Sequence, residues 1–327
     1  MANRYRDDSS SAVIETNLVT FSDEIFSRPE CVITTAAGDV FASDNRGGIA
    51  HLRGDGTFRL ILAKNSPAGF LPNGIALLPD RSFLIADAGA NGVWHMDGAG
   101  NLSPFLMEVE GRKIPAANFV HRDSVGRVWI TISSWRSDRS ESARKGLAEG
   151  ALVLVEGGRA RVVADGLAFA NEARVHPLGD AIYVNETIGR RVSRFSISAD
   201  NSVGPRETVS EFGIGGFVDG LNFDRDGNIW VVCCVSNQIV KVDYRTGRQQ
   251  VIISDADYEH LASVEEKFQA EQFAGWSPGR DRHLSNPSSI NFGGLDLRTG
   301  LIGFSEGKKI GLFQSPIAGS EPAHWRF

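Results

Sequence analysis

The chain has 327 residues, of which 42% are hydrophobic, and its formal net charge of −6 is spread without long runs of one sign. This length and composition can bury a large core, and the lack of a clustered basic surface argues against nucleic acid as a partner. No apolar stretch approaches the roughly 20 residues that span a bilayer, so no membrane association is expected. The three cysteines, two of them adjacent, suit a reducing, cytoplasmic compartment better than a disulfide framework.

Six similar stretches follow one another along the chain. Each contains a small or polar residue, a short strand, a turn rich in Asp and Gly, and then an apolar strand. They begin at Pro29, Pro72, Ala117, Ala170, Val218 and Pro287. A repeat of about 40–50 residues that holds several strands is typical of a β-propeller blade. We therefore predict an all-β protein, a six-bladed β-propeller that occupies residues 1–327 as a single domain.

The N-terminal segment, residues 1–26, precedes the first copy of the repeat. Its apolar run at residues 12–21 is predicted to close the last blade by pairing with residues 308–316, because an unpaired edge strand is a liability. Further along, residues 133–150 are polar and charged, and they predict a long loop.

Residues 255–286 are predicted to form an insertion between blades five and six. A helix is expected over residues 255–276, because apolar residues recur there at helical spacing: Leu261, Val264, Phe268 and Phe273. Three placements remain open from the sequence. The insertion packs on the side of the propeller, covers the central opening as a lid, or forms the contact of a homo-oligomer.

The second residue of each copy lies at the strand end farthest from the hairpin turn. In a propeller these ends meet around the central axis, so the repeat brings together five polar side chains: Glu30, Asn73, Asn118, Asn171 and Asp219. Two carboxylates in one channel repel each other unless a cation lies between them. Oxygen ligands suit a hard cation, calcium first, which predicts a central metal-binding channel. The alternative is that these residues only cap strands or form Asx-turns.

The ordered set Glu30, Asn118, Asn171 and Asp219 resembles the senescence marker protein/gluconolactonase (regucalcin-like) family. Its layout is similar to that of diisopropylfluorophosphatase and paraoxonase, and residues 169–197 are also similar to strictosidine synthase-like proteins. The resemblance implies one divalent metal ion in the channel, most often Ca²⁺, with Zn²⁺, Mg²⁺ or Mn²⁺ as alternatives. It makes Glu30, Asn171 and Asp219 metal ligands, and Asn118 a fourth ligand or a substrate contact.

The sequence also departs from the pattern that this resemblance implies. Ala116 and Phe119 stand where members of the family carry an arginine and an aspartate, and Glu172 stands where glycine is usual. Aromatic residues near the same strand ends predict a pocket that is more apolar than a sugar would require. The predicted substrate-binding residues are Asn73, Phe119, Phe169, Phe217 and Glu172.

The expected function is a metal-dependent hydrolase of a lactone or related ester, with a small-molecule substrate of apolar character. Asp219 is expected to act as general base toward the attacking water, or in a variant as the nucleophile, while Asn118 orients the carbonyl group. One alternative is a metal-free, strictosidine synthase-like lyase or condensing enzyme. The other is a non-catalytic propeller that binds calcium or another ligand.

Overall fold

A computed structural model describes residues 13–271 and 282–327. In chain order, the first strands are β1 (Thr20–Phe21), β2 (Val32–Thr34), β3 (Val40–Asp44), β4 (Gly48–Leu52), β5 (Phe58–Leu62), β6 (Pro72–Leu77), β7 (Phe83–Asp87), β8 (Val93–Met96), β9 (Leu102–Leu106), β10 (Glu108–Val109), β11 (Arg112–Lys113), β12 (Phe119–Arg122) and β13 (Val128–Ile132). The later elements are β14 (Gly150–Glu156), β15 (Arg159–Leu167), β16 (Ala170–Val175), β17 (Ala181–Glu186), β18 (Arg191–Ser196), β19 (Glu207–Glu211), β20 (Val218–Phe223), β21 (Ile229–Cys233), β22 (Gln238–Val242), β23 (Gln249–Ser254), the helix α1 (Tyr258–Gln269), β24 (Pro287–Gly293), β25 (Thr299–Phe304) and β26 (Gly311–Gln314).

Six four-stranded sheets form the blades of a propeller. Blades one to five are β2–β5, β6–β9, β12–β15, β16–β19 and β20–β23, and β10 and β11 form a separate hairpin. The first strands of successive blades contact one another in the order β2, β6, β12, β16, β20, β24 and back to β2, so they form a closed ring around the axis. The predicted six-bladed, all-β propeller is confirmed.

The sixth blade combines both ends of the described chain. Its strand order is β1-β26-β25-β24, with Thr20 opposite Leu312 and Phe21 opposite Gly311 in antiparallel register. Val19, which is 1% exposed, packs in the core of this blade. The outer edge of β26 is therefore paired with a strand from the N-terminal side of the chain, which gives blade six four strands like the other blades.

The hairpins between the first two strands of blades three and five are built around aspartate. Asp123 accepts hydrogen bonds from the indole of Trp129 at 2.9 Å and from the backbone N–H of Arg127 at 2.9 Å. Asp224 accepts the indole N–H of Trp230 at 3.2 Å in the same way. The Asp-rich turn of the repeat thus fixes the hairpin end of the inner strand, and the opposite end is left for the site.

The helix α1 lies between blades five and six, where the sequence predicts it. Asp257 caps its N-terminus by accepting a hydrogen bond from the backbone N–H of His260. The buried residues of the helix are Leu261, Val264 and Phe268, and Phe273 lies outside the described residues. No helix in the described part of the chain has the length and apolar character needed to cross a membrane.

Candidate functional site

Local irregularities in the inner strands of blades two, four, five and six orient the residues that head those copies of the repeat. The pairing of first and second strands shifts register between Pro72 and Ile75, Ala170 and Ala173, Val218 and Leu221, and Pro287 and Ser289. Asn73, Asn171, Asp219 and Ser288 lie within these shifts. A β-bulge turns a side chain out of the regular alternation and is common beside active sites. These bulges therefore allow the residues to face the central channel.

One cavity of about 330 Å³ opens at this end of the channel. It is lined by Arg28, Glu30, Phe169, Asn171, Thr187, Asp219, Cys234, Asn286, Ser305 and Glu306. The structure thus brings together three of the predicted ligands, Glu30, Asn171 and Asp219, and places Phe169 beside them. Among the described lining residues, Phe169 and Cys234 are apolar and the others are polar or charged. The predicted aromatic contacts Phe119 and Phe217 are not among them, because they pack in hydrophobic clusters.

Asn73 and Asn118 lie behind Glu30, and Asn73 holds its carboxylate. The Asn73 Nδ2 group donates to Glu30 Oε1 at 3.0 Å and to the backbone carbonyl oxygen of Asn118 at 2.9 Å. Asn118 Nδ2 donates to Ser133 Oγ at 2.9 Å, and that hydroxyl donates to the carbonyl oxygen of Ala170. Both asparagines are 1% exposed. In this geometry they connect blades one to four beneath the cavity.

Glu172 faces the interior of the channel. Its carboxylate accepts the backbone N–H of Leu221 at 3.1 Å and lies 3.4 Å from the Arg174 guanidinium. Burial raises the pKa of Glu172 to about 7, the nearby charge of Glu30 raises it too, and Arg174 opposes the shift. By holding Leu221, Glu172 supports the strand that carries Asp219.

The same position of the repeat carries glycine in blades two and five, where the inner strands approach closely. A Cβ atom on Gly220 would lie 2.4 Å from the carbonyl oxygen of Ser288, and one on Gly74 would lie 2.6 Å from Phe119 Cα. A side chain is excluded there by the neighbouring backbone. The spacing between β16 and β20 instead accommodates Glu172, which explains how this chain tolerates a carboxylate where glycine was expected.

Two predicted substrate contacts, Phe119 and Phe217, belong to hydrophobic clusters. The Arg174 guanidinium lies 5.1 Å from the centroid of the Phe119 ring. The Phe217 ring packs edge-on against Phe268 of α1 at 5.2 Å between ring centroids. Phe217 therefore supports the cavity wall from behind, together with the helix.

A set of buried acids, missed by the sequence analysis, holds the loops that lead to the site. Asp44 accepts the backbone N–H of Ser27 at 3.0 Å, Asp87 that of Leu71 at 3.0 Å, and Glu186 that of Ala168 at 2.7 Å. All three acids are fully buried. The sequence does contain a pattern that marks these acids, because each of them is the last residue of the second strand of its blade.

The remaining lining residues come from loops that the repeat does not mark. Arg28, Thr187, Asn286, Ser305 and Glu306 were not predicted. Asn286 has a positive φ of 57° and is 4% exposed, and its backbone N–H donates to Asn237 Oδ1 at 3.0 Å. Its Oδ1 atom is buried without a hydrogen-bond partner.

One feature of the cavity, an unpartnered buried oxygen of Asn171, indicates that its residues could bind a hard cation. Asn171 donates through Nδ2 to Thr187 Oγ1 at 3.1 Å, while its Oδ1 atom is buried without a hydrogen-bond partner. A buried oxygen that lacks a partner is costly unless a ligand satisfies it. No group of three or more His, Cys, Asp or Glu residues suited to a metal ion occurs within residues 13–271 and 282–327. The candidate set instead combines two carboxylates with a carboxamide, and such oxygen ligands suit calcium.

Comparison with known proteins agrees with the propeller fold described above. The family described as the SMP-30/Gluconolactonase/LRE-like region matches residues 62–257. A search of curated proteins found no match. Among solved structures, the calcium-binding protein regucalcin from Agrobacterium tumefaciens C58 is 18% identical with a TM-score of 0.69, covering 97% of this chain and 99% of its own.

Two further structures share the fold at similar distance. A gluconolactonase from Xanthomonas campestris is 16% identical with a TM-score of 0.65, and the match covers 92% of this chain and 89% of that protein. Virginiamycin B lyase from Staphylococcus aureus is 12% identical with a TM-score of 0.59, and the match covers 90% and 98% of the two chains. At these identities the likeness shows a common propeller, on which more than one chemistry occurs.

Proposed function

The chain belongs to the SMP-30/gluconolactonase/LRE-like family, and we propose that it is a metal-dependent hydrolase of a lactone or related ester. The observation that carries the proposal is the convergence of Glu30, Asn171 and Asp219 on one cavity, with the Asn171 Oδ1 atom buried and unpartnered. These three residues would hold the ion, most simply Ca²⁺. The polar side chains of the lining favour hydrogen-bonding groups around the reacting carbonyl, while Phe169 and Cys234 offer a surface to an apolar part of the substrate.

A divalent cation in this cavity would supply a Lewis acid and lower the pKa of a water molecule. Asp219 would accept the proton of the attacking water at a carboxylate oxygen as the water oxygen bonds to the carbonyl carbon. When the ester C–O bond breaks, Asp219 would return this proton to the departing alcohol oxygen. Asn73 would hold Glu30 in place, and Asn118 would contribute through Asn73 and Ser133, since its carboxamide lies behind the cavity.

Calcium titration by calorimetry tests this proposal on protein stripped with a chelator. We expect one strong site in the wild type and none in Asp219→Ala, with lactone turnover in the variant reduced about 100-fold or more. Asp226→Ala is the matched control, because Asp226 is an exposed aspartate at the hairpin end of the same strand. It should keep both binding and turnover. Circular dichroism checks that each variant is folded.

The same experiment separates the alternatives. Absence of calcium binding in folded wild-type protein, or retained turnover in folded Asp219→Ala, would overturn the metal-dependent hydrolase. Repeating the titration with Mg²⁺, Mn²⁺ and Zn²⁺ identifies the preferred ion. Calcium binding without turnover across lactones and esters would indicate a non-catalytic calcium-binding propeller, and turnover that persists in chelator would indicate a metal-free enzyme.

A further inference from the structure

Arg28 places a positive charge in the wall of the cavity. The residue is partly buried and lines the cavity together with Glu30. Its guanidinium donates to Asn73 Oδ1 at 2.8 Å and to the carbonyl oxygen of Pro72 at 3.3 Å, both of which are neutral acceptors. Among residues 13–271 and 282–327, no ion pair within 4.0 Å involves Arg28.

The backbone holds Arg28 in an uncommon conformation. Its φ is +50°, in the left-handed region that residues other than glycine seldom adopt. The backbone N–H of Arg28 donates to the carbonyl oxygen of Gly307 at 2.8 Å, and the Arg28 carbonyl oxygen accepts from Glu30 N–H at 2.8 Å. These two bonds fix Arg28 between blade six and the candidate ligand Glu30. Such strain costs free energy and is concentrated at functional sites.

Among the lining residues that the structure describes, the charge balance leaves Arg28 without a counterion. A divalent cation would be neutralised by the two carboxylates that would hold it, Glu30 and Asp219. The third carboxylate among these described residues, Glu306, is exposed to solvent, where its charge is screened. A guanidinium carries five N–H donors, so donors remain after the bonds to Asn73 and Pro72. A partly buried guanidinium that has N–H donors to spare and no counterion is best satisfied by an anion.

We propose that Arg28 selects substrates that carry an oxyanion group, a carboxylate or a phosphate, beside the ester or lactone that is hydrolysed. This inference rests on the proposed function and names its substrate class. The planar guanidinium binds carboxylate and phosphate oxygens with directed, charge-assisted hydrogen bonds. In this arrangement Arg28 contacts the substrate and simultaneously orients Asn73, so anion recognition is coupled to the position of Glu30.

Two lactones of equal shape and different charge test the proposal. The carboxylate β-carboxy-γ-butyrolactone and the corresponding neutral carboxamide are compared as substrates of the calcium-loaded enzyme. We expect the wild type to prefer the carboxylate about 10-fold in kcat/KM, mainly through KM, and Arg28→Gln to lose this preference. Lys308→Gln is the control, because it removes an exposed positive charge from a neighbouring pocket that shares Glu306 with this cavity. It should retain the preference.

Three results would overturn the inference while leaving the proposed function intact. One is a wild type that hydrolyses both lactones equally well, and another is an Arg28→Gln variant that keeps the preference. The third is an Arg28→Gln variant that binds calcium more weakly and loses activity toward both substrates equally, since Arg28 would then only position Asn73 and Glu30. Calcium titration of Arg28→Gln separates these roles. Because glutamine keeps an N–H donor for Asn73 Oδ1, the loss of calcium affinity is expected to stay below the about 10-fold that is typical when a residue orienting a metal ligand is removed.

A binding measurement decides the case in which neither lactone is hydrolysed. The carboxylate lactone is titrated into calcium-loaded protein by calorimetry, and binding that Arg28→Gln abolishes supports the anion site even if the hydrolase proposal fails. No binding overturns it. Acetate and methyl phosphate, used as competitors, identify which oxyanion is preferred, and the failure of both to compete would also overturn the proposal.

Discussion

At the scale of single residues, Asn73 has hydrogen-bond partners on both ends of its carboxamide. Arg28 donates to its Oδ1, and its Nδ2 donates to Glu30 Oε1. The arginine has no acceptor, so this contact fixes which way the amide faces. The contact with Asn73 thereby fixes the orientation of the Glu30 carboxylate at its Oε1 atom. Asn73 thus acts as a positioning residue in the proposed metal site.

Asn73→Leu is expected to lower calcium affinity about 10-fold, because residues that orient metal ligands typically affect binding by this amount. It should also lower the free energy of unfolding by about 1–3 kcal/mol, since its buried partners lose their hydrogen bonds. Asn291→Leu is the matched control. Asn291 is 2% exposed and donates to the carbonyl oxygen of Val32 between neighbouring blades.

The Asn291 variant should lose similar stability and keep the calcium affinity. Calorimetry and urea denaturation measure the two quantities separately. Equal losses of calcium affinity in both variants would contradict a specific role for Asn73.

The sequence predicted which residues lie near the site better than it predicted where their side chains point. The phase of the repeat identified Glu30, Asn171 and Asp219, which do line one cavity. It could not show that Asn73 and Asn118 lie behind them, because the bulge in β6 and the bond from Arg28 direct Asn73, and the bond to Ser133 directs Asn118. Register shifts depend on how two strands pair, and a single sequence read along one strand does not contain that information.

At the scale of elements, the helix α1 supports one wall of the cavity from outside. Leu261, Val264 and Phe268 share a hydrophobic cluster with Phe169 and Cys234, which line the cavity. The periodicity of the sequence predicted the buried face of the helix. It could not identify the surface that this face covers, because any apolar partner would satisfy the same pattern.

Phe268→Ala is expected to raise KM several-fold, because the cavity wall that carries Phe169 loses its support. Calcium affinity should change little, because the proposed metal ligands lie on other elements. The ring of Phe268 packs on Phe217 and lies under the Arg190 guanidinium, 4.1 Å from ring centroid to Cζ. Removing such a side chain typically costs about 3–5 kcal/mol of packing free energy.

Lys267→Ala is the control for Phe268→Ala, since the neighbouring lysine is exposed on the same helix. It should leave KM and thermal stability close to the wild-type values. An unchanged KM in a folded Phe268→Ala protein would show that α1 does not shape the substrate site.

At the scale of the whole molecule, the ring is joined on both faces by segments outside the repeat. On the face opposite the site, the C-terminal segment crosses the hairpins. Arg225 N–H donates to the carbonyl oxygen of Ala318, and Ala36 N–H donates to that of Trp325. The repeat predicted the number of blades because each copy folds in the same way, whereas this crossing occurs once and has no periodic signal.

His324 in this segment gives the protein a specific sensitivity to acid. Burial, together with the positive charge of Arg174, lowers the pKa of His324 to about 3, and a backbone hydrogen bond with Thr34 opposes the shift. His121, whose pKa is also lowered by burial, lies near the same arginine. The unfolded chain binds a proton at His324 below about pH 6.5, while the folded protein does not until about pH 3. Stability should therefore fall as the pH falls through this window.

His324→Gln removes this titration, so its free energy of unfolding should change less between pH 7 and pH 5 than that of the wild type, by about 2 kcal/mol. Urea denaturation at a series of pH values measures the difference. Ser320→Ala is the control, because it changes the same C-terminal segment without removing a titratable group, and it should show the wild-type slope. If His324→Gln kept the full acid sensitivity, the loss of unfolding free energy at low pH would have to come from other groups. The C-terminal segment would then not be the part of the fold that acid weakens first.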